Sequence, residues 1–121
     1  MAPMLQIGLI VGSTRHGRFA DKPAEWLVRV GAKRQDLHLQ MLDLRDFPLP
    51  FFDEIASPSA APPRNEEAQR WGAALAHCDG FVVVTPEYNH AMPAVLKNAL
   101  DYAHKEYACK PAAFLGYGSL G

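Results

Sequence analysis

The chain predicts an α/β fold built on a parallel sheet, and three features point there. Leu5-Gln6-Ile7-Gly8-Leu9-Ile10-Val11 and Phe81-Val82-Val83-Val84 are apolar, β-branched runs of strand length, as expected of strands buried on both faces. Stretches with apolar residues at three- and four-residue spacing separate the strand-like runs. The resulting order is strand, helix, strand, long loop, helix, strand, helix, strand. Alternation of this kind joins parallel strands through right-handed crossovers.

The totals narrow the possibilities. At 121 residues the chain makes one domain, 1–121, large enough to bury roughly two-thirds of its unfolded surface. A net charge of −1 gives no reason to expect nucleic acid or an anionic membrane as partner. No apolar run approaches the ~18 residues that span a bilayer. Met1-Ala2-Pro3-Met4 lacks the basic segment and apolar core of a signal peptide. Cys78 and Cys109 are too few and too distant for a disulfide scaffold or a metal knuckle, and read as reduced thiols of a cytoplasmic protein.

The first strand, Leu5 to Val11, ends at Gly12 and a polar turn, Ser13 to Arg18. A helix follows with Ala24, Leu27, Val28 and Gly31 on one face, while Trp26 and Val30 fall on another and are expected to cover a loop or meet another subunit. Asp21 is a candidate cap, and Pro23 is tolerated only in a first turn, so the helix starts near Asp21 or is irregular before Pro23. Leu37 to Leu42 alternates with period two, as an edge strand wet on one face does. Asp43 to Arg64 is a long proline-rich connection that suits a lid, a binding loop or an interface arm. Its Phe47, Leu49, Phe51 and Phe52 are costly to leave in water.

Asn65 caps the next predicted helix, with Glu66 and Glu67 at the positive end of its dipole and Ala68, Trp71, Gly72 and Leu75 on its apolar face. His77 falls in its last turn, and Asp79-Gly80 stops it. The third strand, Phe81 to Val84, leads to a third helix from Pro93 to about Tyr102. Met92, Leu96, Ala99 and Ala103 are expected to face the core, leaving Lys97 and Asp101 as an exposed pair. Pro111 to Leu115 is a fourth strand, running into the glycine-rich Gly116 to Gly121. Another helix is expected to begin there. A parallel sheet is covered on both faces, so the chain reads as incomplete at its carboxyl end, or as covered by a partner.

Two stretches carry chemistry. In Gly12-Ser13-Thr14-Arg15-His16-Gly17-Arg18, backbone amides, a hydroxyl and two guanidinium groups together suit a phosphate monoester. The Gly-Lys-Ser/Thr ending of a nucleoside-triphosphate loop is absent, and so is the G-x-G-x-x-G dinucleotide turn. An ordinary strand-to-helix turn with two solvated arginines fits the same letters. In Thr85-Pro86-Glu87-Tyr88-Asn89-His90 there is no triad and no metal box, and the five histidines are scattered. An aromatic ring and closely spaced backbone donors and acceptors there suit the edge of a flat heterocycle. On the bland reading, Glu87 and Asn89 only shape the turn and cap the helix.

Gly12-Ser13-x-Arg15, Thr85-Pro86-Glu87-Tyr88-Asn89-His90 and Pro93-Ala94-x-Leu96-Lys97-Asn98-Ala99-Leu100-Asp101-Tyr102 resemble the NAD(P)H-dependent FMN reductases, a flavodoxin-like family that includes quinone, chromate and azo-dye reductases. The resemblance runs from Leu5 to Gly121. It implies a three-layer sandwich with strand order 2-1-3-4 and a fifth strand missing from this chain; the flavin site at such a sheet's switch point is a worked example of the general rule. It implies that Ser13, Arg15 and Arg18 hold the FMN phosphate, and that Pro86, Glu87, Tyr88 and Asn89 line the isoalloxazine, with Gly118 and Ser119 approaching from the fourth-strand loop. Many members place serine where Arg18 stands and asparagine where Ala20 stands.

By this resemblance the expected activity is hydride transfer from NADPH or NADH through FMN to a quinone, free flavin or other small-molecule acceptor. No catalytic acid or base of the protein is expected, because the cofactor carries the chemistry. The alternative is a flavodoxin-like electron carrier without NAD(P)H oxidation, but such carriers are strongly acidic and a net charge of −1 speaks against one. The resemblance also implies a homodimer or homotetramer with the third helix at the interface.

Overall fold

The computed structural model describes residues 3–119. Four parallel strands, β1 (Leu5–Val11), β2 (Leu37–Asp43), β3 (Gly80–Pro86) and β4 (Ala112–Tyr117), form one sheet in the order β2-β1-β3-β4. Three helices, α1 (Asp21–Ala32), α2 (Glu66–Ala76) and α3 (Ala94–Asp101), connect them. This is the flavodoxin-like α/β arrangement. The expected glycine-rich turn runs on into Leu120 and Gly121, which lie outside the described residues.

Alternation along the central strands divides the core in two. Leu9, Val11 and Val84 point to one face and pack with Ala20 and Ala24 at the start of α1. Ile10, Phe81 and Val83 point to the other, where Trp71 and Leu75 of α2 meet Leu96 and Ala99 of α3. Trp71 is wholly buried; its indole N–H donates to the Ala99 carbonyl at 2.9 Å, and the Phe47 ring meets it edge-on. Burying a side chain of this size stabilises by roughly 2–3 kcal/mol, and the hydrogen bond removes the penalty its N–H would otherwise carry.

α2 starts as expected, with Asn65 Oδ1 accepting from the Ala68 N–H at 3.1 Å. α1 starts at Asp21, but Ala20 occupies the cap position with no side-chain bond; the Asp21 carboxylate turns to Arg18 instead. Val28 is exposed, because only Ala24 and Gly31 reach the sheet from the expected stripe and Leu27 is half-buried. Met92 is exposed as well. It precedes Pro93, the residue before the helix, so the 3.6-residue period of α3 does not extend to it. β3 and β4 each run two residues beyond their apolar cores, pairing Thr85 with Gly116 and Pro86 with Tyr117. A short 3₁₀ turn at Lys105–Tyr107, invisible to apolar periodicity, lies before β4.

The proline-rich connection is ordered by α3. Asn98 donates from Nδ2 to the Pro50 carbonyl and accepts at Oδ1 from the Phe52 N–H, at 3.0 and 2.9 Å. Leu49 and Phe52 pack inward with the buried Phe47, while Phe51 is 80% exposed, contrary to the expectation that all four aromatic and aliphatic groups leave water. Two flanking backbone anchors force the residue between them outward.

Candidate functional site

Every loop with chemical potential lies at the carboxyl edge of the sheet. β1 ends beside β2 and β3, with Val11 in register with both Asp43 and Val84. Gly12 then donates its N–H to the Val84 carbonyl at 2.8 Å. A Cβ on Gly12 would lie 2.8 Å from that same oxygen and 3.0 Å from Leu96, so the turn reaches β3 only because residue 12 has no side chain.

Beyond Gly12 the turn folds on itself. Ser13 is buried, and its hydroxyl oxygen accepts from the Arg15 N–H at 3.2 Å. The Arg18 N–H donates to the Arg15 carbonyl at 3.1 Å, and Gly17 takes a positive φ of 69°. The backbone N–H groups of Thr14, His16 and Gly17 have no acceptor among the described residues. Thr14, His16 and Gly17 are exposed residues, as is Arg15 between them in sequence. A run of free amide donors next to an arginine suits an anion.

Arg18 sits differently. Its side chain is 5% exposed, with Nε donating to Asp21 Oδ1 at 2.9 Å and Nη1 to the Ser13 carbonyl and Asp43 Oδ1, both at 2.8 Å. Nη2 donates to Asp43 Oδ2 at 2.6 Å and lies 2.7 Å from Asp21 Oδ1. The fork is filled. Its hydrogen bond holds the Asp43 carboxyl below the usual carboxylate range, outweighing partial burial that acts the other way. Asp43 in turn raises the Arg18 pKa, so this guanidinium stays charged. Arg45, just past β2, donates from Nη2 to the Arg15 carbonyl at 2.6 Å. Neither Asp43 nor Arg45 stood out in the sequence; the available signal was their place at the carboxyl end of the strand beside β1.

The second loop leaves β3. Tyr88 and Ala91 exchange both backbone hydrogen bonds, at 2.8 and 3.1 Å, across Asn89 and His90 with φ of 54° and 68°. Two successive positive φ values make this a tight turn of the mirror-image type I class, where asparagine is at home and histidine is tolerated. Glu87 braces it: one carboxylate oxygen accepts from the His90 N–H at 2.5 Å, while the Glu87 N–H donates to the Tyr117 carbonyl at 2.9 Å.

An open cleft of about 900 Å³ lies between this loop and the end of β4, lined by residues 85–92 and 116–119. It gathers Pro86, Glu87, Tyr88, Asn89, Gly118 and Ser119, and adds Thr85, His90, Ala91, Met92, Gly116 and Tyr117, which lie in the same stretches but were not among the expected cofactor-binding residues. Ser13, Arg15 and Arg18 do not line it. Arg15 nevertheless joins the two loops, its guanidinium 5.8 Å from the centre of the Tyr88 ring. On the far side Phe19 meets Tyr117 edge-on at 5.1 Å.

Comparison with known proteins bears on this geometry. A family model described as NADPH-dependent FMN reductase matches residues 5–121. The chain belongs to this reductase family. It is similar to a Nectria sp protein named as an NAD(P)H-dependent FMN reductase, with 37% identity over 98% of the chain and 62% of that protein. A 2-hydroxy-1,4-benzoquinone reductase of Burkholderia sp is 35% identical over 97% of the chain and 63% of its own length. Among solved structures, the flavoenzyme NAD(P)H:acceptor oxidoreductase FerB of Paracoccus denitrificans superposes with a TM-score of 0.74 at 28% identity, covering 93% of this chain and 60% of that one. The chain thus spans about three-fifths of the length of the reductase-family relatives it matches.

Proposed function

We propose that the full-length protein is an NAD(P)H-dependent FMN oxidoreductase, passing reducing equivalents from NADPH or NADH to a small acceptor such as a quinone or free flavin. The observation that carries the reading is the meeting of two complementary sites at Arg15 and Tyr88: an anion-suited turn and a cleft suited to a flat ring. Membership of the reductase family supports it.

FMN, when bound, would supply the hydride chemistry. The chain's own residues bind and orient. The free N–H groups of Thr14, His16 and Gly17, the Arg15 guanidinium and the Ser13 hydroxyl would hold the phosphate. Pro86, Glu87, Tyr88 and Asn89 would line one side of the ring, with Gly118 and Ser119 on the other. Glu87 is committed to bracing its own loop, so its carboxylate serves the cleft by holding the loop's backbone groups in place.

The deciding experiment adds FMN to the purified full-length protein, then NADPH or NADH. The expected result is a flavin spectrum that bleaches on anaerobic addition of the nicotinamide and returns with a quinone. A protein that stays colourless overturns the reading, and one that binds FMN but is not bleached is an electron carrier.

A homodimer or homotetramer in the cytoplasm completes the proposal. Phe51 and Ile55, 80% and 91% exposed on the segment strapped to α3, are apolar groups that a second subunit would cover. Light scattering on the full-length protein tests the assembly.

A further inference from the structure

The two arginines of the turn, three residues apart in sequence, do opposite things in space. Arg15 is exposed and faces Tyr88, whereas the Arg18 side chain is buried, with four of its N–H groups hydrogen-bonded to oxygens of the protein and Nη2 also 2.7 Å from Asp21 Oδ1. A phosphate at the turn would find four of the five N–H donors of Arg18 already taken. We propose that Arg18 is a positioning residue: it fastens the Ser13 carbonyl to the Asp43 carboxylate at the end of β2, and so fixes the turn's backbone donors where a flavin phosphate would sit.

The geometry gives each partner a part. Asp43 takes the fork end-on, one oxygen on Nη1 and the other on Nη2 at 2.8 and 2.6 Å, which fixes the plane of the guanidinium as a single contact would not. That plane presents Nη1 to the Ser13 carbonyl, the residue whose hydroxyl in turn holds the Arg15 N–H. Asp21, in the first turn of α1, takes the adjoining edge at Nε. The turn is therefore tied to β2 and α1 through one side chain. Arg45 adds a second strut from the same end of β2, to the carbonyl of Arg15. The inference rests on the flavin reading above, and its test separates the two.

The measurement is the affinity of the full-length protein for FMN and for riboflavin, which has the same ring without the phosphate, by flavin fluorescence quenching. Three variants are compared: Arg18→Gln, Arg18→Lys and Asp43→Asn. Each is expected to weaken FMN binding about tenfold, equivalent to one or two lost charge-assisted hydrogen bonds, and to change riboflavin binding less than about twofold. Lysine decides most. It binds phosphate well as a point charge but cannot bridge Ser13, Asp21 and both oxygens of Asp43. If Arg18→Lys keeps wild-type FMN affinity while Arg18→Gln loses it, or if Asp43→Asn tightens FMN, Arg18 is itself a phosphate ligand and the proposal fails. Equal losses for FMN and riboflavin, or no loss for either, also overturn it. Wild-type protein that binds neither flavin refutes the flavin reading instead. Because Asp43→Asn is isosteric, it remains informative should an Arg18 variant not fold.

Discussion

The hydroxyl of Tyr102 donates to the carbonyl of Pro50 across 2.8 Å, and the Phe52 ring stands edge-on to the Tyr102 ring at 5.1 Å. With Asn98, one turn earlier on α3, this residue holds the proline-rich segment against the helix that follows the cleft loop. Asn98→Ala strands the Phe52 N–H and weakens the hold on Pro50, so it should cost about 1–3 kcal/mol, and Tyr102→Phe about 1 kcal/mol. Urea unfolding gives the magnitudes. Limited proteolysis should show earlier cleavage around Phe51 to Ala56 in both variants.

Gly12→Ala places a methyl group against the Val84 carbonyl, a backbone atom that cannot rotate away. Relief requires the turn to lift from β3, at a cost of about 1–3 kcal/mol in stability. FMN affinity should fall with it, since Ser13 and Arg15 follow directly. A Gly12→Ala protein of wild-type stability by urea titration would show that the turn yields more easily than its contacts imply.

The cleft loop responds to backbone conformation rather than to charge. At His90, φ of 68° disfavours a β-branched residue, so His90→Val should destabilise by about 1–2 kcal/mol. His90→Gly, free of that penalty, should lie within about 1 kcal/mol of wild type. Thermal unfolding of the two variants side by side measures the difference.

Acid should unlock the clamp beneath the turn. The Asp43 carboxyl titrates lower in the folded protein than in the unfolded chain, chiefly because Arg18 hydrogen-bonds to it. Its contribution is therefore fully present above the ordinary aspartate value of about 4 and is lost as pH falls from there through the folded-state value. Stability should decline over that interval, and Asp43→Asn should make the decline shallower. Some slope remains, because Arg34 lowers Asp36 and the Asn65 N–H lowers Glu54 in the same sense. Urea midpoints between about pH 3 and pH 7 test this.

β1 and β3 were legible as buried parallel strands because Leu5 to Val11 and Phe81 to Val84 are mostly apolar, β-branched runs, whereas their order in the sheet was legible only through the family resemblance. Asn65 announced its helix through its own side chain. Pattern failed where a tertiary contact overrode it: Phe51 is pushed outward by the anchors on either side, and Met92 belongs to the cleft because Pro93 ends the helical period. Within the candidate site, the loop that lines the cleft could be picked out from its letters. The division of labour between Arg15 and Arg18 could not, since it depends on Asp43, twenty-five residues away from Arg18 in sequence and adjacent only once β2 lies beside β1.

The loop from Glu87 to Ala91 makes most of its hydrogen bonds within itself: its turn bonds and its bracing carboxylate are internal, and among the described residues the hydrogen bond it makes outside is to the Tyr117 carbonyl, with the Arg15 guanidinium against the Tyr88 ring. The hydrogen bonds that set its outline thus form a cassette written in adjacent letters. Grafted onto the carboxyl end of another parallel strand whose neighbour offers a carbonyl at the same height, it should keep its shape. A designer seeking a rigid rim for a flat-ring pocket could transplant it whole.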